Sequence, residues 1–378
     1  MAIHIYHFGI ISARMKGEAH SEVIDVARGY LLIGVFYVHA LYSISASAED
    51  VGRFLLAGVQ IKLLAPYVAA FFFLSGMSSP ALGQKSARSL FRQSVMLLLL
   101  SVGSHLVAGI LSQLLIFRKP MDEFLPSMIK PVIIGEGHLN FIGWFFVVLA
   151  FARIFAWMFE RSRLWFLLVA MLTGCVMAFV QTLDLPDIYQ WSTWPLAVLF
   201  MLCGIHIPRN VSIRWFIAVP SIFLSVALGW INREDIFGSR PCLSCDLEFA
   251  AQPSIGAYGF LPLYLLQLVL FIVGLLWIST RSQRLVTGRV GAYFGKRSLM
   301  MLILHGWIIV TLYPLAMAHL PPQGSIFFYI TIISTVIVVH AGLFAVTSPL
   351  LRRFMALTSR ASDLILHCAS RVVALKRR

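Results

Sequence analysis

Residues 24–45 read IDVARGYLLIGVFYVHALYSIS, a run that is apolar apart from Asp25, Arg28, His39 and a few hydroxyls. At 1.5 Å of rise per residue it makes a helix about 33 Å long, enough to cross the roughly 30 Å hydrocarbon core of a bilayer. Nine further apolar runs follow, at 56–79, 93–117, 139–159, 164–182, 192–207, 213–231, 257–280, 297–318 and 325–350. The pattern predicts an all-α, polytopic integral membrane protein with about ten transmembrane helices.

Composition points the same way. Of the 378 residues 59% are hydrophobic and 12% charged, and the mean hydropathy is +0.86. A soluble domain carries roughly twice that share of charge. A soluble enzyme, a disordered tail and a disulfide-stapled secreted module are all excluded. Repeated long runs also favour helices over an outer-membrane barrel.

The formal net charge of +14 would suggest nucleic acid in a soluble protein. Here the basic residues sit in short clusters between apolar runs, so no nucleic-acid partner is expected. With the N-terminus inside and alternating spans, the inner segments collect 22 of the 30 Lys and Arg but 5 of the 16 acids. The reverse orientation inverts the positive-inside rule at nearly every loop, so both termini are expected to be cytoplasmic. No internal repeat or long linker divides the chain. Residues 1–23 read as a cytoplasmic N-terminal segment without the apolar core of a signal peptide, 24–352 as one ten-helix membrane domain, and 353–378 as a basic cytoplasmic tail.

Two expected outer segments, 118–138 and 232–256, are longer than simple connectors. The second holds Cys242-Leu243-Ser244-Cys245. Outside an inner membrane such a pair can form a small structural disulfide or remain two thiols. No second C-x-x-C completes a zinc site, and no metal is expected.

Ionisable residues within spans suggest function by default because they are costly there. Arg28 and His39 are eleven residues apart, three turns plus about 20°, so they share one face at a separation of about 16 Å. Two readings fit this spacing. A cation near the cytoplasmic end and an imidazole deeper on the same stripe can serve a long ligand that threads into the membrane. Alternatively, Arg28 snorkels to headgroups and His39 bonds a neighbouring helix. Ser75 and Gly76 end the second span, where small residues commonly allow close helix approach. Arg88 and Arg92 follow at i, i+4, on one face; a solvated loop and a phosphate clamp both explain them. His138 and Trp144 open the fourth span as candidate site residues or interfacial anchors. Ser298 and His305 share a face of the ninth span. His105, His319 and His340 show no telling spacing and read as packing residues.

Together these residues carry a resemblance. Asp25-x-x-Arg28-Gly29 followed by His39 resembles the first-helix signature of membrane acyltransferase family 3. The run Phe71-Phe72-Phe73-Leu74-Ser75-Gly76 is similar to that family's second-helix signature. The stretch from Gly295 to His305 resembles its late Ser-Tyr-x-x-Tyr-x-x-His block, with Leu299 and Leu302 where tyrosines are usual.

The resemblance implies O-acyl transfer from a cytoplasmic acyl-CoA, such as acetyl-CoA or succinyl-CoA, to a hydroxyl of a surface or periplasmic polysaccharide or glycolipid. It implies a location in the bacterial inner membrane and, as partners, the bilayer and polysaccharide biosynthesis proteins. His39 takes the role of catalytic base and Arg28, with Arg88 and Arg92, that of donor-binding cation. Asp25, Ser75, His138, Trp144, Ser298 and His305 are further candidates. No bound cofactor is implied.

The chemistry is consistent, since a neutral imidazole near pH 7 can remove a hydroxyl proton, and a guanidinium fork suits phosphate. Two other classes stay open at this stage. One is a polytopic transporter using Arg28, His39 and His305 as a proton or substrate pathway, although no paired helix breaks and no acid deep in a span support it. The other is a non-catalytic scaffold or sensor.

Overall fold

The computed structural model describes residues 2–376 except 46–50, 80–81, 117–118, 136, 139, 141, 161–162, 181–185, 208–211, 233–252, 254–255 and 317–324. Among the described residues the chain is all-helical, with no strand. Its α-helices are α1 (Ala2–Ser45), α2 (Val51–Leu64), α3 (Tyr67–Met77), α4 (Ala87–Leu115), α5 (Met121–Ile134), α6 (Gly143–Phe159), α7 (Arg163–Val180), α8 (Trp194–His206), α9 (Trp215–Ile231), α10 (Leu261–Ser282), α11 (Val286–Gly295), α12 (Ser298–Ala316) and α13 (Ile326–Lys376).

Among the described residues, seven stretches are long and apolar enough to cross a membrane: Glu22–Ser43, Ala57–Met77, Ala87–Leu115, Ile188–His206, Leu261–Ser282, Ser298–Leu315 and Ile326–Arg371. Shorter apolar helices at Gly143–Phe159, Leu168–Phe179 and Trp215–Ile231 lie on the fourth, fifth and seventh runs of the sequence. The expected second run is two helices, α2 and α3, parted at Pro66, whose missing N–H and ring interrupt the helical ladder. The segment 118–138 holds α5, closed by Gly135 in the left-handed conformation (φ 74°). The 353–378 tail continues α13 as helix as far as Lys376.

Burial separates an interior from a lipid-type exterior. Phe36, Phe72, Phe146 and Phe294 are almost wholly enclosed. Phe223, Phe327 and Val346 stand more than 70% exposed on α9 and α13, as side chains facing lipid do. On α13 the buried residues Ile332, Val336, His340 and Phe344 recur every four positions, a single inward stripe on a helix otherwise turned outward.

Close helix approach is built on glycine. A Cβ at Gly29 on α1 would lie 1.8 Å from the Gly291 carbonyl oxygen on α11, and one at Gly295 would lie 1.7 Å from that of Asp25. Likewise a Cβ at Gly76 would meet the Met201 oxygen at 2.1 Å, so the small residues after the Phe71–Phe73 run seat α3 against α8. These contacts fix α1, which carries Arg28 and His39, against the helix that leads into α12 and His305.

Candidate active site

The first-helix pair is divided between two surroundings. Arg28 lines a cavity of about 280 Å³ and donates through Nη2 to Ser78 Oγ at 2.7 Å and to the Leu74 carbonyl at 3.5 Å. Its guanidinium therefore reaches into the helix bundle. Asp25 lies one turn earlier and attracts it electrostatically. The same cavity is lined by Ser75 from α3, Gln93 and Leu97 from α4, Phe145 and Arg153 from α6, and Ser298 from α12. Leu299 and Leu302 also line it and add apolar surface beside the polar groups.

Three turns along α1, His39 Nδ1 lies 2.8 Å from His305 Nε2. His305 Nδ1 in turn lies 2.8 Å from His340 Nε2, and His340 Nδ1 lies 2.7 Å from the Val336 carbonyl oxygen. Three imidazoles from α1, α12 and α13 thus form one hydrogen-bonded row. Phe36 stacks flat on His340, with ring centroids 3.9 Å apart and planes 9° off parallel, and lies 4.4 Å from His305. Tyr313 closes another side and donates to the Phe36 carbonyl at 3.1 Å. His305 and His340 are fully buried, whereas His39 keeps partial exposure. Among the described residues no carboxylate bonds to any of the three rings, and no cluster of His, Cys, Asp and Glu is disposed to hold a metal ion.

Arg88 and Arg92 do share one face, but on a different site. They line an exposed depression of about 490 Å³ with Ser86, Asp363 and His367. Arg92 is clasped there by Asp363, with Nε–Oδ1 at 2.5 Å and Nη2–Oδ2 at 2.8 Å, and it also donates to Ser359. In the cavity, the second cation is Arg153. Its Nη2 donates to Gln93 Oε1, which also accepts from Lys85 Nζ at 3.4 Å. Burial, and then repulsion from Arg153, push the Lys85 ammonium below its ordinary value.

The connector between α3 and α4 is pinned to the end of α6. Trp157 Nε1 donates to the Lys85 carbonyl at 3.1 Å, and the Gly83 N–H donates to Glu160 Oε2. Burial raises the Glu160 carboxyl above its ordinary range, and the Gly83 N–H partly opposes that.

His138 joins neither group. Ser101 gives its one proton to the Gly143 carbonyl at 2.9 Å, so His138 Nε2 is the donor in its 3.1 Å contact with Ser101 Oγ. Its ring stands edge-on to His105, 5.5 Å away. Trp144 packs edge-on to Phe145, the residue beside it that does line the cavity. Cys242, Cys245 and His319 lie outside the described residues.

Two residues of the site did not stand out in the sequence. Arg153, one of the cations that the charge sorting assigns to the expected inner side, lies ten residues into an apolar helix, which is itself a signal of a costly and purposeful charge. His340 read as packing, yet it interrupts an apolar stripe of four-residue period.

A cavity lined by two arginines and a buried row of histidines thus lie within one all-helical bundle. Comparison names the class: residues 22–344 match the acyltransferase domain family, and the chain belongs to it, as a membrane acyltransferase of family 3. No curated protein and no solved structure matches the chain.

Proposed function

We propose that this membrane acyltransferase moves an acetyl, succinyl or similar acyl group from cytoplasmic acyl-CoA to a hydroxyl of a cell-surface or periplasmic polysaccharide or glycolipid. It does so in the bacterial inner membrane, with ten spans, both termini in the cytoplasm, and polysaccharide biosynthesis proteins as neighbours. The observation that carries this reading is that one helix offers Arg28 to a cavity and, three turns further, His39 to a histidine partner.

In this reading the acyl-pantetheine arm enters the cavity past Arg28 and Arg153 and runs along the wall of Leu299 and Leu302. A cavity of about 280 Å³ sits at the small end of ligand pockets, which run roughly 300–1,000 Å³, so it suits the arm and leaves the nucleotide outside. Arg88 and Arg92 then serve the nucleotide from the surface depression. His39 removes the acceptor's hydroxyl proton as the oxygen attacks the thioester carbonyl. Acyltransferase family membership favours this over the transporter reading, which would use the same Arg28, His39 and His305.

The test has two arms. Purified protein given acyl-labelled acyl-CoA is expected to hydrolyse it slowly or become acylated. Mass spectrometry of surface and periplasmic glycans from cells with and without the gene is expected to differ by the mass of one acyl group. Intact acyl-CoA together with identical glycans would refute the proposal.

A further inference from the structure

The row of three histidines ends on an atom that can only accept. The Val336 carbonyl is part of the α13 backbone, four residues before His340, and it sits 2.7 Å from His340 Nδ1. A carbonyl has no proton to give, so Nδ1 of His340 must carry one. The ring is fully buried and stacked on Phe36, and among the described residues no carboxylate bonds to it. A charge there would be buried and unpaired, so the ring is neutral and its Nε2 is a bare acceptor.

The assignment then propagates. His305 Nδ1, at 2.8 Å, must donate to His340 Nε2, which leaves His305 Nε2 as an acceptor. His39 Nδ1, at 2.8 Å, must donate to His305 Nε2. What remains is His39 Nε2, with its lone pair unprotonated, on the one residue of the three that keeps partial exposure. One backbone carbonyl thereby fixes the tautomer of a side chain two imidazoles away.

We propose that His340 is a positioning residue: anchored on the Val336 carbonyl, it sets His305 and through it holds His39 in the Nδ1–H tautomer, with Nε2 presented as the base. The proposal rests on the reading of His39 as the base of acyl transfer. In that reaction the acceptor's O–H proton passes to His39 Nε2 as its oxygen bonds the thioester carbonyl carbon. The carbon–sulfur bond breaks, and the departing thiolate takes the proton back from His39 Nε2. This leaves the ester, the CoA thiol and three rings in their starting tautomers. While His39 is charged, its Nδ1–H bond to neutral His305 becomes charge-assisted and stronger, which holds the ring in place during transfer. His340 itself touches neither substrate in this scheme.

A merely structural His340 and a tautomer-setting one differ in what rescues their loss. His340→Leu keeps bulk but removes the acceptor for His305 Nδ1–H. His340→Gln keeps both bonds, with Oε1 accepting from His305 and the amide N–H donating to Val336. His340→Leu is expected to lower kcat by about 10- to 100-fold, the usual scale for an orienting hydrogen-bond partner, with the acyl-CoA KM within about twofold of wild type. His340→Gln is expected to restore most of that kcat.

The second readout needs no turnover. In protein labelled with 15N-histidine and reconstituted in nanodiscs, the ring-nitrogen shifts are expected to report His39 as the Nδ1–H form in wild type and His340→Gln. In His340→Leu they are expected to report a mixture of tautomers. A His39 found mainly as the Nε2–H form in wild type would overturn the proposal. So would a folded His340→Leu protein with wild-type kcat, or folded Leu and Gln variants equally impaired. Failure of the acyltransferase reading shows up separately, as no acyl-CoA turnover by wild type, and leaves the tautomer measurement interpretable.

Discussion

Arg28 on α1 and Arg153 on α6 face one cavity, and among the described residues no carboxylate is hydrogen-bonded to either guanidinium. Two cations lining one space in a low-dielectric interior repel each other, and an anion between them turns that cost into binding energy. Arg153→Ala is therefore expected to raise the KM for acyl-CoA by about 10- to 100-fold, the scale of a hydrogen bond to a charged group, with kcat nearly unchanged. Arg92→Ala is expected to change KM by less than about threefold, because an exposed cation already clasped by Asp363 contributes little to a further anion. Steady-state kinetics on purified variants gives both numbers; the opposite ranking would make the surface depression, and not the cavity, the main hold on the donor.

His39 and Arg28 should separate by kinetic parameter. His39→Ala is expected to lower kcat by about 10²- to 10⁴-fold, the usual worth of a general base, while donor affinity holds. Arg28→Ala is expected to act mainly on KM, and Arg28→Lys to restore only part, since a point charge replaces a fork. Membrane levels of each variant must be measured beside activity. A well-folded His39→Ala protein that acylates glycan at the wild-type rate would end the assignment.

Glu160 offers a test of pH dependence outside the spans. Its carboxyl is raised in the folded state by burial, so the folded chain holds that proton more firmly than the unfolded chain. Its contribution to stability is present below the ordinary carboxylate range and is lost as pH rises through the raised value. Glu160→Gln, whose amide oxygen can still accept from Gly83, is expected to be at least as stable as wild type at neutral pH and to flatten the dependence in the mildly acidic range. Thermal unfolding in detergent across that range checks it, and a Gln variant clearly less stable at neutral pH would show that the charged form is the stabilising one.

The glycine contacts of α1 predict a contrast within a single helix. A Cβ at Gly29 would sit 1.8 Å from the Gly291 oxygen, whereas one at Gly34 meets nothing within 4 Å. Gly29→Ala should therefore destabilise by about 1–3 kcal/mol through overpacking. Gly34→Ala should be neutral or stabilising by up to about 1 kcal/mol, the helix-propensity difference. Melting temperatures of the two proteins decide it, and equal behaviour would mean that α1 and α11 are not in close contact.

Orientation is checked by fusion. A reporter that is active only in the cytoplasm, placed after Arg378, is expected to be active, and the same reporter placed within 233–252 is expected to be silent. Activity from the insertion within 233–252 alone would reverse the topology.

How far the sequence carries can be judged from particular residues. The apolar runs reveal the helices because the bilayer demands long uninterrupted hydrophobic length, a one-dimensional property. Arg28 and His39 were legible because both lie on one helix, where spacing alone fixes their relative direction. The His39–His305 contact spans 266 positions, and no local rule supplies such a pairing. His340 was harder still. Its role depends on which ring nitrogen meets which partner, and that is set by the packing of three helices. Arg153 was not legible because a basic residue near the expected cytoplasmic side satisfies the positive-inside rule whether it points at headgroups or into a cavity.

The last helix runs 51 residues without a break, about 77 Å at 1.5 Å per residue, more than twice the thickness of the hydrocarbon. The tail is thus not a tether hung from the membrane domain but a continuation of its last helix. One end of it holds His340 among the buried rings, and the other brings Asp363 to its clasp on Arg92, about 35 Å away along the axis. Pro349 lies between them and removes one rung of the backbone ladder, so a single rigid helix joins the buried rings to the surface clasp with one hydrogen bond fewer than its length allows.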